Sequence, residues 1–143
     1  MKLSRRARYA LRMMLTIARY SGPDERVSLK QVADKTKISR RYMEQLAIAL
    51  KNSDLIVGIT GKGGGYRLSR PAPEIKLTDI VTAAIGPIEI VECLDHADSC
   101  LQAAGCECRE LYQQINDRIT DLLNEYTLAD LANKKIKAAL PKT

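Results

Sequence analysis

Apolar and basic positions alternate with a helical period over the first twenty residues. Apolar side chains recur at steps of three and four, while the arginines lie mostly off that stripe. Ser4 precedes the pattern as a candidate N-cap, and Gly22 and Pro23 follow it as breakers. The pattern predicts an amphipathic helix from Ser4 to about Tyr20, with one face in a core.

Two shorter helical patterns follow. Ser28 and Gln31 have the spacing of a capping box, which predicts a helix to about Lys35. A turn over residues 36–38 separates it from a basic helix that Ser39 caps. Two short helices joined by a tight turn are typical of a DNA-binding helix-turn-helix and also of an ordinary helical hairpin in a core. On this pattern alone, both interpretations stay open.

The next stretch predicts a β-hairpin. Residues 55–60 read as a strand, residues 61–65 as a turn of glycines around Lys62, and residues 66–68 as the returning strand. Glycines allow the tip to approach a sugar-phosphate backbone closely, and Lys62 adds a positive charge. Helix, turn, basic helix and glycine-tipped hairpin together predict a winged helix that binds DNA.

Helical patterns return in the second half of the chain. Thr78 and Asp79 are candidate caps of a helix to about Ile85. A long amphipathic helix is expected after Cys108, and Thr127 begins a short one over residues 128–140. The apolar positions of the long helix are Leu111, Ile115, Ile119, Leu122 and Tyr126. A second copy of this helix would cover its apolar face, which predicts a homodimer.

The predicted fold is therefore mainly α with a small β-hairpin wing. It combines a winged helix-turn-helix with a long C-terminal dimerisation helix. Residues 1–72 form the DNA-binding domain, with the first helix shared with the dimer core. Residues 73–143 form a cysteine-loop sensor and dimerisation region.

Charge divides the chain at nearly the same place. Residues 1–70 hold 16 Lys and Arg against 5 Asp and Glu, and residues 71–143 hold 7 against 12. A basic lobe fused to an acidic one indicates a polyanion partner for the first and protein or metal for the second; a merely solvated basic face is the alternative. No stretch is long enough to span a membrane, so we expect a cytoplasmic protein without a membrane partner.

All four cysteines lie between Cys93 and Cys108. In a cytoplasmic protein such a cluster favours metal or redox chemistry over structural disulfides. An iron–sulfur cluster, a zinc site, a metal-free thiol switch and unreactive or disulfide-bonded cysteines are all open. No paired catalytic carboxylates or nucleophile–base pair stands out, so an enzyme is not expected. An electron carrier that docks to an acidic protein is the alternative outside DNA binding.

Several motifs together resemble the bacterial iron–sulfur cluster regulators (IscR) and their nitric-oxide-sensing relatives (NsrR). They are MKLSRRARYALRMM, ISRRYMEQLA, GKGGGYRLSR and a three-cysteine loop before a long helix, and the resemblance covers nearly the whole chain. It implies a dimeric winged-helix transcription factor on a pseudo-palindromic promoter operator. Such a regulator senses iron–sulfur cluster, redox or nitric oxide status through a bound cluster.

The resemblance also implies DNA contacts. Glu44 and Gln45 match the family's recognition-helix pair, and Arg40 and Arg41 beside them could contact a guanine or a phosphate. The family's minor-groove arginine is Thr60 here, so Lys62 or Arg67 would take that role. The full predicted DNA-binding set is Ser39, Arg40, Arg41, Tyr42, Glu44, Gln45, Thr60, Lys62, Gly63, Gly64 and Arg67.

Cys93, Cys100 and Cys106 match three cluster ligands by their spacing. The implied cofactor is an iron–sulfur cluster, expected as [2Fe-2S], with [4Fe-4S] and zinc as alternatives. The family's fourth ligands, a histidine and an acidic residue, are replaced here by Arg109 and Arg8. Thiolate is the preferred ligand of such clusters, so Cys108 is favoured as the fourth ligand. His96, Asp95 and Glu107 are the other candidates.

Overall fold

A computed structural model describes residues 2–136. Its helices and strands are α1 (Arg5–Tyr20), α2 (Leu29–Thr36), α3 (Arg40–Asn52), β1 (Ile56–Ile59), β2 (Gly65–Leu68), α4 (Leu77–Ile85), α5 (Glu107–Glu125) and α6 (Leu128–Ala132). Short 3₁₀ turns lie at Ala72–Glu74, Glu92–Leu94, Ala97–Ser99 and Ala103–Gly105. The predicted fold class, mainly helical with a two-stranded antiparallel wing, is confirmed.

Local capping signals determine where the first three helices begin. The Ser4 hydroxyl accepts a hydrogen bond from the Ala7 amide at 3.1 Å, and the Ser39 hydroxyl accepts one from the Tyr42 amide at 3.3 Å. Ser28 exchanges two hydrogen bonds with Gln31, as a capping box requires. The caps predicted for α1, α2 and α3 are confirmed.

The wing is the hairpin of β1 and β2, in which Gly58 faces Tyr66. A Cβ atom on Gly64 would lie 2.4 Å from the Ile59 carbonyl oxygen, so the strands leave room there for glycine alone. Val27 pairs with Tyr66 on the far side of β2 through hydrogen bonds of 2.8 and 2.9 Å. That bridge attaches the wing to the segment between α1 and α2.

The core is built around α1, whose Met13, Met14 and Ile17 have no exposed surface. α4 packs along α1, and α6 returns to the same helix. Leu128 of α6 is fully buried, and its amide donates to the Ile75 carbonyl at 2.8 Å. One core cluster therefore includes side chains from both sides of residue 72. The division of roles between residues 1–72 and 73–143 stays a prediction.

Three boundaries differ from those expected. α4 begins at Leu77, because Asp79 accepts from the Lys76 amide at 2.9 Å from inside the first turn. α5 begins at Glu107, so Cys108 lies within the helix and not before it. α6 ends at Ala132, and the remainder of its predicted range from residue 137 lies outside the described residues. No helix within residues 2–136 combines the length and apolarity that crossing a membrane requires.

Candidate DNA-binding surface and cysteine site

α3 divides sharply into a buried and an exposed face. Its buried side chains lie in the core: Met43, Leu46, Ala47 and Leu50. Its outward face carries four of the predicted DNA-binding residues: Arg40, Arg41, Glu44 and Gln45. Helical spacing and the Ser39 cap together present these polar side chains as one surface.

Arg40 and Glu44 form an ion pair within this surface. The Arg40 Nε atom lies 3.4 Å from the Glu44 carboxylate, and both side chains are more than half exposed, at 67% and 51%. A solvated pair one helical turn apart contributes only about 0.3–0.5 kcal/mol to stability. The two side chains can therefore separate at little cost, Arg40 to meet a phosphate or a base edge and Glu44 to accept a hydrogen bond from a base amino group.

An open cleft of about 470 Å³ separates α3 from the wing. Arg40, Glu44 and Lys51 line it from α3, and Thr60 and Gly64 line it from the wing. Lys62 and Gly63 are exposed at the tip beyond it. The structure thus brings the recognition-helix residues and the wing tip to one side of the molecule.

Three predicted DNA-binding residues have other contacts. Arg67 lines a separate cleft beside Gly22 and Pro23. The Tyr42 ring is half-buried and packs edge-on against Tyr9, with ring centroids 5.2 Å apart. The Ser39 hydroxyl is the N-cap of α3. The sequence predicted the Ser39 cap, but it could not predict the contacts of Arg67 and Tyr42, because these involve residues distant along the chain.

The four cysteines are free thiols in different settings. Cys93 sits half-buried in a 3₁₀ turn, and Cys106 is the half-buried N-cap residue of α5. Cys100 and Cys108 are exposed. Within residues 2–136, no three His, Cys, Asp or Glu side chains lie close enough together to hold a metal ion. The donor set suits a soft metal or an iron–sulfur cluster, but the conformation described does not gather it.

The pKa of Tyr112 is affected by neighbouring cysteines. Its pKa is raised first by the charge of the Cys108 thiolate, then by partial burial and a hydrogen bond with Cys108. The charges of Cys106 and Cys93 raise it further. Cys108 lies one helical turn before Tyr112 on α5 and has the largest effect on its pKa.

Arg109 makes a contact that sequence reasoning missed. Its guanidinium donates to the Cys93 carbonyl at 3.1 Å and to the Leu94 carbonyl at 3.3 Å. The residue that replaces the family's histidine ligand thus holds the start of the cysteine loop against the first turn of α5. The sequence shows only that Arg109 follows Cys108, and it gives no sign of these hydrogen bonds.

Acidic groups lie at the entrance of the loop. The pKa of Glu89 is raised, first by a hydrogen bond with Asp95 and then by burial. The charge of Asp95 raises it further, and that of His96 lowers it. His96 itself is exposed, as expected of a solvated loop residue. The loop therefore keeps the acidic character that distinguishes this half of the chain.

Comparison with protein families decides the class of regulator. Residues 3–134 match the Rrf2 model, which is described as an iron-dependent transcriptional regulator. The chain belongs to the Rrf2 family. Rrf2 proteins are DNA-binding transcriptional regulators and not enzymes, so the electron-carrier alternative is wrong.

Individual Rrf2 relatives agree with this assignment. The chain is 35% identical over 137 residues to the HTH-type transcriptional regulator IscR of Pectobacterium atrosepticum, covering 94% of this chain and 81% of the relative. Among solved structures it resembles CymR (YrzC), the global cysteine regulator of B. subtilis, with a TM-score of 0.76, 35% identity and coverage of 94% and 98%. It also resembles T. potens IscR, with a TM-score of 0.77, 25% identity and coverage of 100% and 94%. The predicted resemblance to iron–sulfur cluster regulators is confirmed at the level of the family.

Proposed function

We propose that this Rrf2 protein is a dimeric regulator whose DNA binding depends on an iron–sulfur cluster held by the Cys93–Cys108 loop. One observation supports the coupling above all: the cysteine loop ends in the first turn of α5, and α5 carries the exposed apolar face. Any change in the loop therefore acts on the helix that would join two subunits. As a regulator of promoters, the protein would act in the cytoplasm.

The DNA-binding part of the proposal places α3 in the major groove. Arg40, Arg41, Glu44 and Gln45 would then reach base edges or phosphates from the exposed face of the helix. Lys62 at the wing tip would meet the adjacent backbone or minor groove. Lys62 suits this role better than Arg67, because Arg67 lines a different cleft.

The dimer part of the proposal follows from the surface of α5. None of its residues is buried, although Leu111 and Leu122 are large and apolar and are 56% and 54% exposed. The same helix in a second subunit would remove both side chains from water. Two winged helices related by a twofold axis would then meet a pseudo-palindromic operator, with half-sites about one helical turn of DNA apart.

The sensor part of the proposal assigns ligands. Cys93, Cys100 and Cys106 would hold the cluster, and Cys108 is favoured as the fourth ligand because thiolate is the preferred ligand of iron–sulfur clusters. A bound cluster, [2Fe-2S] in the first instance, supplies a centre that responds to redox state, iron supply or nitric oxide. Arg109 holds the Cys93 backbone beside α5, and cluster binding would require the loop to rearrange so that the cysteine side chains come together.

Anaerobic purification tests the sensor part directly. A coloured protein with matching iron and sulfide content and an iron–sulfur Mössbauer spectrum is expected, whereas a colourless protein with stoichiometric zinc would contradict the proposal. Changing Cys93, Cys100 or Cys106 to Ala should abolish the colour and keep the helical content. Ser99→Ala, beside Cys100 in the same loop, is the matched control and should stay coloured. Comparing Cys108→Ala with Cys108→Ser shows whether this thiol is the fourth ligand.

A metal-free thiol switch is the second candidate, favoured by the exposure of Cys100 and Cys108 as free thiols. Two thiols would lose two protons and two electrons to a peroxide and form one disulfide. Mass spectrometry of the metal-free protein before and after peroxide would identify the pair. Operator binding that changes with peroxide and recovers with a thiol reductant, in protein free of iron, would favour this candidate over the cluster.

A further inference from the structure

One large apolar side chain stands in the middle of the polar face of α3. Ile48 is 55% exposed, whereas Met43, Leu46 and Leu50 of the same helix are fully buried. At 3.6 residues per turn, Ile48 projects about 20° from Arg41 around the helix axis. Most of the Ile48 side chain therefore lies outside the core.

The surroundings of Ile48 show what kind of partner it suits. Its neighbours one turn away on the exposed face are Glu44, Gln45, Lys51 and Asn52, all exposed and polar or charged. A single exposed isoleucine is common on protein surfaces and by itself shows nothing. Here, however, it lies at the centre of a surface that is otherwise built for a polar, anionic partner. The apolar area is one side chain wide, too small for an apolar protein patch.

In the major groove, the 5-methyl group of thymine is the apolar group that base pairs display beside their hydrogen-bonding atoms. We propose that Ile48 is a specificity-determining residue that contacts the methyl group of one thymine in each operator half-site. This inference rests on the proposed placement of α3 in the major groove. It adds a preference for T·A at a position that the charged residues of α3 do not read.

The helix geometry limits where that thymine lies. Ile48 is seven residues beyond Arg41 on nearly the same line, a distance of about 10 Å along the helix axis. Base pairs are stacked about 3.4 Å apart, so the thymine should lie roughly three base pairs from the base or phosphate that Arg41 meets. Arg41 and Ile48 would thus read separate positions of one half-site.

A methyl-deletion cycle tests the contact. Duplexes selected by the full-length protein from a random pool provide the operator, and each thymine is then replaced by deoxyuridine, which lacks only the 5-methyl group. Burying one methyl group corresponds to about a fourfold change in affinity at about 0.8 kcal/mol per buried carbon. One thymine per half-site should therefore show a loss of about fourfold on replacement.

Ile48→Ala completes the cycle. The variant should bind the thymine operator about as weakly as the unmodified protein binds the deoxyuridine operator, and deoxyuridine should cause no further loss. Ala is the better helix former, so thermal unfolding should not reveal a loss of stability. Ile85→Ala, which removes the same atoms from an exposed isoleucine of α4, is the matched control and should retain full sensitivity to deoxyuridine.

The outcomes separate this inference from the proposed function. Loss of binding in Arg41→Ala without any thymine sensitive to deoxyuridine would overturn the role of Ile48 and leave α3 in the groove. The role of Ile48 would also be overturned if Ile48→Ala still lost affinity when deoxyuridine replaced the same thymine. Failure of the unmodified protein to select any duplex would overturn both.

Discussion

The winged lobe and the cysteine-loop half of the chain differ in how much they bury. α1 to α4 and the segments between them supply nearly all of the core, with Met13, Leu46 and Ile80 fully buried. Between residues 86 and 136, only Ala103 and Leu128 are buried. α5 is the longest helix described, at 19 residues, and buries none of them.

This contrast indicates where each half obtains its stability. The winged lobe is held together by a large buried core, which Leu128 of α6 completes. The cysteine loop and α5 have few buried contacts, and such regions are the ones that respond most readily to ligands and partners. A ligand or partner that binds the cysteine loop would thus reorganise the loop and α5 more readily than the winged lobe.

The largest expected effect comes from charging the exposed face of α5. Leu111→Glu combined with Leu122→Glu should give a monomer, because four carboxylates would meet where two apolar faces are proposed to pack. Loss of the second half-site contact should weaken operator binding by roughly a hundredfold or more. Sedimentation and mobility shift measure the two effects, and Gln113→Glu, on another face of α5, is the control. A dimer that survives the double change would show that α5 is not the interface.

The stability of the winged lobe can be reduced without touching α5. Gly64→Ala would place a Cβ atom 2.4 Å from the Ile59 carbonyl oxygen, which should destabilise the protein by about 2 kcal/mol. Chemical denaturation measures this change. Gly105→Ala is the matched control, because no atom lies within 4 Å of its Cβ position and the loop can accept it. Equal losses in the two variants would contradict the view that only the winged lobe is tightly packed.

The two basic residues of the wing should differ in their contribution to DNA binding. Lys62→Ala should weaken operator binding by about threefold to tenfold and reduce the salt dependence by about one phosphate contact. Arg67→Ala should leave the salt dependence unchanged, because Arg67 lines the cleft beside Pro23. Titrations over a range of salt concentrations measure both slopes, and a larger change for Arg67→Ala would reverse the assignment.

The smallest effect concerns the attachment of α6. The pKa of Asp130 is lowered, first by the hydrogen bond from the Thr127 amide and then by the one from its hydroxyl. The pKa of Asp130 is lower in the folded than in the unfolded protein, so the ionised carboxylate stabilises the folded state. This stabilisation is complete above about pH 4 and is lost as the pH falls through the lowered pKa. The protection factor of the Leu128 amide, its intrinsic exchange rate divided by the measured rate at the same pH, should therefore fall in acid. At neutral pH it should be smaller in Asp130→Asn than in the unmodified protein. Asp121→Asn, a change on the exposed helix α5, is the control, and hydrogen exchange of the Leu128 amide should be the same in this variant as in the unmodified protein.

Local signals explain what the sequence could predict. Ser4, Ser28 and Ser39 cap the helices that their spacing indicated, and the glycine tip of the wing lies where expected. These features depend on residues within a few positions of one another. The family resemblance was carried by the same stretches.

Contacts between distant residues explain what the sequence could not predict. Nothing local shows that Arg109 reaches the Cys93 carbonyl, or that Arg67 faces Pro23 and not α3. The sequence predicts that α5 begins after Cys108, whereas Cys106, which makes no side-chain cap hydrogen bond, is the N-cap residue and the helix begins at Glu107. The ligand set of the loop likewise depends on contacts between distant residues, which spacing does not determine.

The burial of Leu128 beside Ile75 has a consequence for protein synthesis. Leu128 is the last fully buried residue within residues 2–136, and it is translated after the wing, the cysteine loop and α5. A nascent chain that carries only the winged segment lacks the residue that seals its interior against α1. The winged segment can therefore reach its final packing only after the cysteine loop and α5 have also been made.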